Sequence, residues 1–307
     1  MQSKKSVVVA LLAVQVLFAT LPIAVKIALR DLSSPALALL RVGGAALLFV
    51  AIQRMLVGER IRSRADYARL AMYAVFGVIL NQLLYITALT MTTATAAQTL
   101  VTAGPAFTLL IAIVLRHERG TLGKWGGIVV AAAGALFLVG VDVHSGSGIG
   151  NLLVVLNVAA FSIYQVISRD MLQRYEPLTV ITWVYVWGAV GLAPLTLASA
   201  LQEVGSVSTV TLWALAWIVV GPSVGGYYLH VWALKRTESS VVAVYACMQP
   251  ILTALLATPI LAERPPARLI PAGLMIFAGV MLTMRAARRA RREDGLRHRR
   301  EPEPALV

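Results

Sequence analysis

The chain reads as a succession of long apolar runs separated by short polar breaks. Each run has about the 20 residues that a helix needs to cross a hydrocarbon layer of roughly 30 Å. The pattern predicts ten helices, over 6–29, 35–57, 67–88, 91–115, 122–141, 149–170, 177–200, 209–233, 238–262 and 267–285. The breaks are too short to hold a soluble domain. The expected fold class is therefore all-α integral membrane, with ten transmembrane helices. The first run follows Lys4-Lys5, as a signal peptide would, but it is long, lacks a small-residue cleavage pattern and carries Pro22 and Lys26. It is kept as a spanning helix.

A second regularity lies on top of the first. Moving 145 residues along the chain carries Ala88-Leu89 onto Ala233-Leu234, Thr95 onto Ser240, Pro105 onto Pro250, Glu118-Arg119 onto Glu263-Arg264 and Gly134 onto Gly279. A fixed register of this kind predicts two homologous five-helix repeats, 6–141 and 149–285, followed by a basic tail, 286–307, expected to be disordered.

Composition sharpens the picture in one respect. The chain has 307 residues, of which 59% are hydrophobic and 13% charged, and its mean hydropathy is +0.79, outside the soluble range. Cys247 lies inside a span, so no disulfide framework is expected.

Charge adds orientation. With the N-terminus inside, most of the 27 basic residues fall in cytoplasmic segments, and only Lys26, Arg30, Arg41, Arg264 and Arg268 remain on or near the other side. Both termini are thus expected in the cytoplasm. Five spans per repeat then invert the second repeat relative to the first, with Glu118-Arg119 inside and Glu263-Arg264 outside. The arginines from Arg285 to Arg300 dominate the net charge of +13. Directly after a final span they read as an anchor on anionic lipid; no recognition fold accompanies them, so nucleic acid is not an expected partner.

These residues resemble the drug/metabolite transporter superfamily, EamA type. The resemblance rests on the two copies of Ala-Leu, each followed by a small-residue helix with a central proline, Glu-Arg and a Gly-bearing helix. Ser34-Pro35 with Arg41, and Glu176-Pro177, match the family's turns into its second and seventh spans. One departure is Phe18-Ala19, where many members have Trp-Gly. The resemblance covers residues 6 to about 285. It implies a ten-helix carrier of the cell inner membrane, multi-pass and bacterial, usually an exporter of amino acids or other small metabolites, working by alternating access between inverted halves.

Polar side chains within spans are costly in hydrocarbon, so they should face protein or a water-filled path. Thr95, Gln98, Thr102 and Pro105 recur at three- or four-residue steps and share one helix face. Gln15, Pro22 and Lys26 share another, as do Asn157, Tyr164 and Ser168, while Asn81 and Tyr85 lie four apart. The candidate substrate-binding set is Gln15, Asn81, Tyr85, Gln98, Thr102, Asn157, Tyr164, Gln165, Tyr245 and Gln249. Small and hydroxylated residues also let membrane helices pack closely, and the threonines of the fourth span favour that use. Primary amides need several partners each and point more strongly to lining or gating. Pro105 and Pro250 are candidate hinges. Arg41, some six residues inside its span, has three uses open to it: holding a substrate carboxylate, snorkelling outward, or bonding a backbone carbonyl.

All fourteen acidic residues lie in loops, tails or at helix ends, so no membrane-embedded carboxylate can exchange a proton for a lipophilic cation. His230 is the sole histidine within a span and is the candidate for proton coupling. No nucleophile-base set, metal-ligand cluster or phosphate loop is present within reach of a span, so no enzyme, metal or cofactor is expected. Gly146-Ser147-Gly148-Ile149-Gly150 reads as a flexible external loop between the repeats. The expected function is export of small metabolites, amino acids or amino-acid-like compounds first; the alternatives are a facilitator or importer of another small organic solute, such as a sugar derivative or nucleoside, or an exporter of a specialised metabolite. A monomer or homodimer is expected.

Overall fold

The computed structural model describes residues 4–139, 146–234, 236, 245–246, 248–265 and 267–298. Among them the elements are helices: α1 (Lys4–Ala28), α2 (Ser34–Leu56), α3 (Arg64–Met91), α4 in two pieces (Ala94–Val101 and Gly104–Val114), α5 (Leu122–Val139), α6 (Gly146–Ile167, continued by Arg169–Arg174), α7 (Pro177–Glu203), α8 (Thr209–Ile218, continued to Leu234), α9 (Gln249–Leu261) and α10 (Leu269–His298). Eight of these are long and apolar enough to cross a membrane, and nine if the two pieces of α4 form one bent span. The protein is an all-α, multi-pass membrane protein. The first part of the span expected over 238–262 lies largely outside the described residues, and α9 by itself has 13 residues.

The helix starts follow from local chemistry. Ser33, Ser63, Thr93 and Ser208 sit in extended backbone, and their hydroxyls accept from Ala36, Asp66, Ala96 and Thr211 backbone N–H groups. Each satisfies a donor that would otherwise be orphaned at a helix end in or near hydrocarbon. Two expectations shift. The glycine-rich stretch from Gly146 forms the first turns of α6 rather than a loop, where Gly150 lets the helix approach Met91 and Thr92. Helix α10 runs on to His298, so the first part of the tail expected to be disordered is helical.

Several contacts find a counterpart five helices along the chain. Helix α1 packs on α8 and α9, and α6 packs on α3 and α4; α2 packs on α7, α5 on α10 and α4 on α9. The α5–α10 pair is antiparallel: Gly123 faces Ala286, Gly127 faces Gly279 and Thr283, and Gly134 faces Ala272 and Ile276. The α2–α7 pair is antiparallel too, with Gln53 bonded to Thr179 and the Phe49 carbonyl accepting from Thr182.

Lipid offers these helices no hydrophobic reason to associate, so close backbone approach must hold them. A Cβ on Gly127 would stand 2.6 Å from the Thr283 nitrogen, and one on Gly279 would collide with the backbone of Ala131 and Gly127. We expect Gly279→Val to force α5 and α10 apart and destabilise the protein by about 1–3 kcal/mol. Thermal melting in detergent checks this, with Gly126→Ala as the control, since a Cβ there meets nothing within 4 Å.

Candidate functional site

Two helices depart from α geometry at matching places. Helix α3 widens into a π-turn over Val75–Leu80 and α8 into another over Val219–Gly226. Such turns expose backbone and side chains that a regular helix would stack away. Around them the interior turns polar and aromatic. The Tyr164 ring of α6 lies against Gly77, where any side chain would collide with it. Gly188 of α7 makes room for Val78. Asn157 of α6 donates to the Asn81 carbonyl at 2.7 Å.

The second π-turn carries Ser223, which is fully buried. Its hydroxyl accepts from Nε of Arg41 at 3.3 Å. Arg41 stands seven residues inside α2, about 10 Å along the helix, and retains only 5% of its surface. The guanidinium therefore points inward and does not snorkel. No described carboxylate lies within 4 Å of it, and its terminal nitrogens have no partner among the described residues. Tyr227 follows Ser223 by four residues on the same helix. An aromatic wall continues from there: Phe49 to Tyr185 at 5.1 Å between centroids, Tyr185 to Tyr227 at 6.4 Å, Tyr227 to Phe18 at 6.1 Å, and Phe18 to His230 at 6.4 Å.

A separate set of predicted residues meets where α1, α4 and α9 pack. Gln98 donates to Gln249, Gln249 donates to Gln15 at 2.6 Å, and Gln15 donates to the Leu11 carbonyl of its own helix at 3.1 Å. All three amides are buried. Thr253 extends the seam by donating to the Ala19 carbonyl at 2.9 Å. This relay cross-links three helices and uses the amides on one another. Thr102 bonds back to the Thr99 carbonyl, and Gln165 accepts from Thr108 on an exposed face. Tyr245 is half-buried beside Leu11 and Ala233. Pro105 and Pro250 both occupy the first turn of a helix, and the pieces of α4 on either side of Thr102-Ala103 meet at a bend of 40°.

The two ends of the bundle are closed by different ionic contacts. At one end Glu263 caps α4, both its oxygens accepting from the Ala94 N–H at 2.9 Å, while Lys26 pairs with it at 2.7 Å. At the same end the Asp31 carboxylate accepts from Ser208 and Thr211, and these hydrogen bonds, the Ser208 hydroxyl first, hold its pKa below the usual carboxylate value. A cleft of about 390 Å³ opens there, lined by Lys26, Thr93, Asn151, Glu263 and Arg268 among others. At the opposite end Glu118 pairs with Lys124 at 3.2 Å, Asp66 accepts from Tyr175 at 2.8 Å, and Asp170 accepts from Tyr73 at 2.8 Å. Glu118 and Glu263 thus engage Lys124 and Lys26 rather than the arginines that follow them in sequence.

Sequence reasoning placed Tyr85, Tyr164, Asn81 and Asn157 in this interior. It left Ser223, Tyr185 and Tyr227 out of the candidate set and chose no use for Arg41. The stretch Gly221-Pro222-Ser223-Val224-Gly225-Gly226 in mid-span was the available signal.

The profile of the EamA-like transporter family matches the chain twice, over residues 5–140 and 148–285. A protein of Archaeoglobus fulgidus named only as a transporter is 28% identical over 263 residues, 84% of this chain and 90% of its own length. A Streptantibioticus cattleyicolor protein, named a probable terminal-alkyne amino-acid exporter, is 27% identical over 206 residues, 66% of this chain and 68% of its own length. One crystal structure, 21% identical in sequence, shares the fold with a TM-score of 0.61, covering 94% of this chain and 99% of that one.

Cutting the amide relay at its centre leaves buried groups unpaired on two other helices. Gln249→Leu is expected to cost about 1–3 kcal/mol, read as a lowered melting temperature. Replacing all three glutamines by leucine is expected to cost less than that single change, because no orphan is left behind.

Proposed function

The chain belongs to the EamA-like transporter family, and on that premise we propose that it is a secondary carrier of a bacterial cell membrane that exports small amino-acid-like solutes. The observation that carries this reading is the convergence of Arg41, Ser223, Tyr85, Tyr164, Tyr185 and Tyr227 from five helices on the two π-turns, deep in the bundle. Polar groups gathered in a membrane interior cost free energy, and a pathway for polar solutes is the use that justifies them.

The rest of the molecule supports a two-state carrier. Contacts related by a shift of five helices, and antiparallel pairing of α2 with α7 and α5 with α10, suit two inverted halves around a central site. Ionic closures at both ends supply contacts that can be made and broken in turn. The name of the Streptantibioticus relative supports both the solute class and the direction. The work is translocation; no covalent step is part of it.

Purified protein in liposomes loaded with radiolabelled amino acids is expected to release at least one class saturably, with competition by its relatives. Asn157→Ala is expected to lower the rate severalfold at unchanged expression. Saturable release of a nucleoside or sugar derivative, with no amino acid moved, would overturn the substrate class in favour of another small organic solute.

A further inference from the structure

The reading as a carrier leaves open what the buried guanidinium holds. We propose that Arg41 and Ser223, with the neighbouring tyrosine phenols, form the subsite for a carboxylate group of the transported solute. The inference rests on the carrier reading and narrows it to solutes that bear a carboxylate.

A guanidinium cannot shed its proton in a protein, so burial cannot be relieved by neutralisation. Arg41 is nineteen-twentieths buried. A buried charge is stable when it is paired and hydrogen-bonded. Here Nε has one neutral partner, the Ser223 hydroxyl, and the planar fork of terminal N–H groups has none among the described residues. These terminal nitrogens are not completely enclosed by the protein. A fork of that geometry matches a carboxylate with two parallel hydrogen bonds.

The surroundings fit the same guest. Tyr227 directly follows the π-turn that carries Ser223, and its ring meets that of the buried Tyr185 edge-on at 6.4 Å. The rings of Phe49 and Phe18 continue the wall and offer an apolar face to the body of the solute. Asp66, Asp170, Glu118 and Glu263 sit in the ionic closures at the two ends of the bundle and are already engaged there. The interior therefore favours a negative group on the solute over a positive one.

The same cost makes the role testable against a structural one. If Arg41 served the fold, removing it would destabilise the protein; if it awaits a carboxylate, removing an uncompensated charge leaves stability equal or higher. Thermal melting of the purified full chain is measured with each common L-amino acid, with the amide of each one that stabilises it, and with the corresponding decarboxylated amine. At least one amino acid is expected to raise the melting temperature, its amide and amine are expected to have no effect, and Arg41→Gln is expected to melt no lower than wild type. Arg41→Gln and Arg41→Lys are expected to weaken the Kd for that amino acid roughly ten- to hundredfold, the loss of a charge-assisted pair, and Ser223→Ala to weaken it less. Equal stabilisation by acid and amide, stabilisation by no carboxylate, unchanged Kd in Arg41→Gln, or a melting temperature several degrees lower in Arg41→Gln would each overturn the subsite. The carrier reading is judged separately by release from liposomes. Saturable release of uncharged solutes together with failure here would keep the carrier and discard the carboxylate, whereas Arg41-dependent stabilisation without release would keep the subsite and discard the carrier.

Discussion

Every polar group placed inside this bundle has to find its partner in the protein, because the surrounding hydrocarbon offers none. Most of the structure answers that demand locally. Serine and threonine caps satisfy helix starts, and threonines within the helices bond back to carbonyls three or four residues earlier. Among the described residues, Asp31, Asp66, Asp170 and Glu263 sit at the ends of the bundle in contacts that tie one helix to another. The glutamine relay answers the demand across helices, each amide spending itself on the next. Gln82 Oε1, the Thr95 hydroxyl and the Trp187 indole N–H are also left without a partner, but among the described residues Arg41 is the buried charge whose hydrogen-bonding set the protein does not complete.

The geometry around Arg41 depends on the two π-turns. A regular helix would stack its carbonyls against its own N–H groups and close its surface; a wider turn lets a neighbour enter. On α3 the neighbour is the Tyr164 ring seated on Gly77, and on α8 it is the Arg41 side chain reaching Ser223. Glycines where α5 meets α10 do different work, bringing two antiparallel backbones into contact and fixing the periphery against which the centre is built. Closures at the two ends differ in chemistry. One is a carboxylate capping a helix start with a lysine beside it, and the other a set of tyrosine-carboxylate and lysine-carboxylate pairs.

Eight spans were legible because hydropathy over twenty residues is a strong signal, and several of their starts are marked by a cap or a proline. The 145-residue register was legible for the same reason, since it rests on residue types in order and not on contacts. The bend in α4 was announced by Gly104-Pro105. What could not be read was partnership. Gln98, Gln249 and Gln15 each stood out as costly amides, but the repeat register sets Gln98 against Ala243, so nothing in one dimension paired it with Gln249. Arg41 and Ser223 are 182 residues apart, and an isolated arginine in a span has three plausible uses until its direction is seen. Tyr164 against Gly77 is invisible until α3 and α6 are brought together.

If the centre between the π-turns is the solute path of an alternating carrier, one position there must be reachable from either side of the membrane at different times. Cysteine in place of Ser223, in a chain with Cys247→Ser, reports this directly through labelling by a membrane-impermeant thiol reagent applied to one face of sealed vesicles of known orientation. The account predicts labelling from both faces and protection from both by a transported solute. Labelling from one face alone, unchanged by solute, or from neither face, would contradict it.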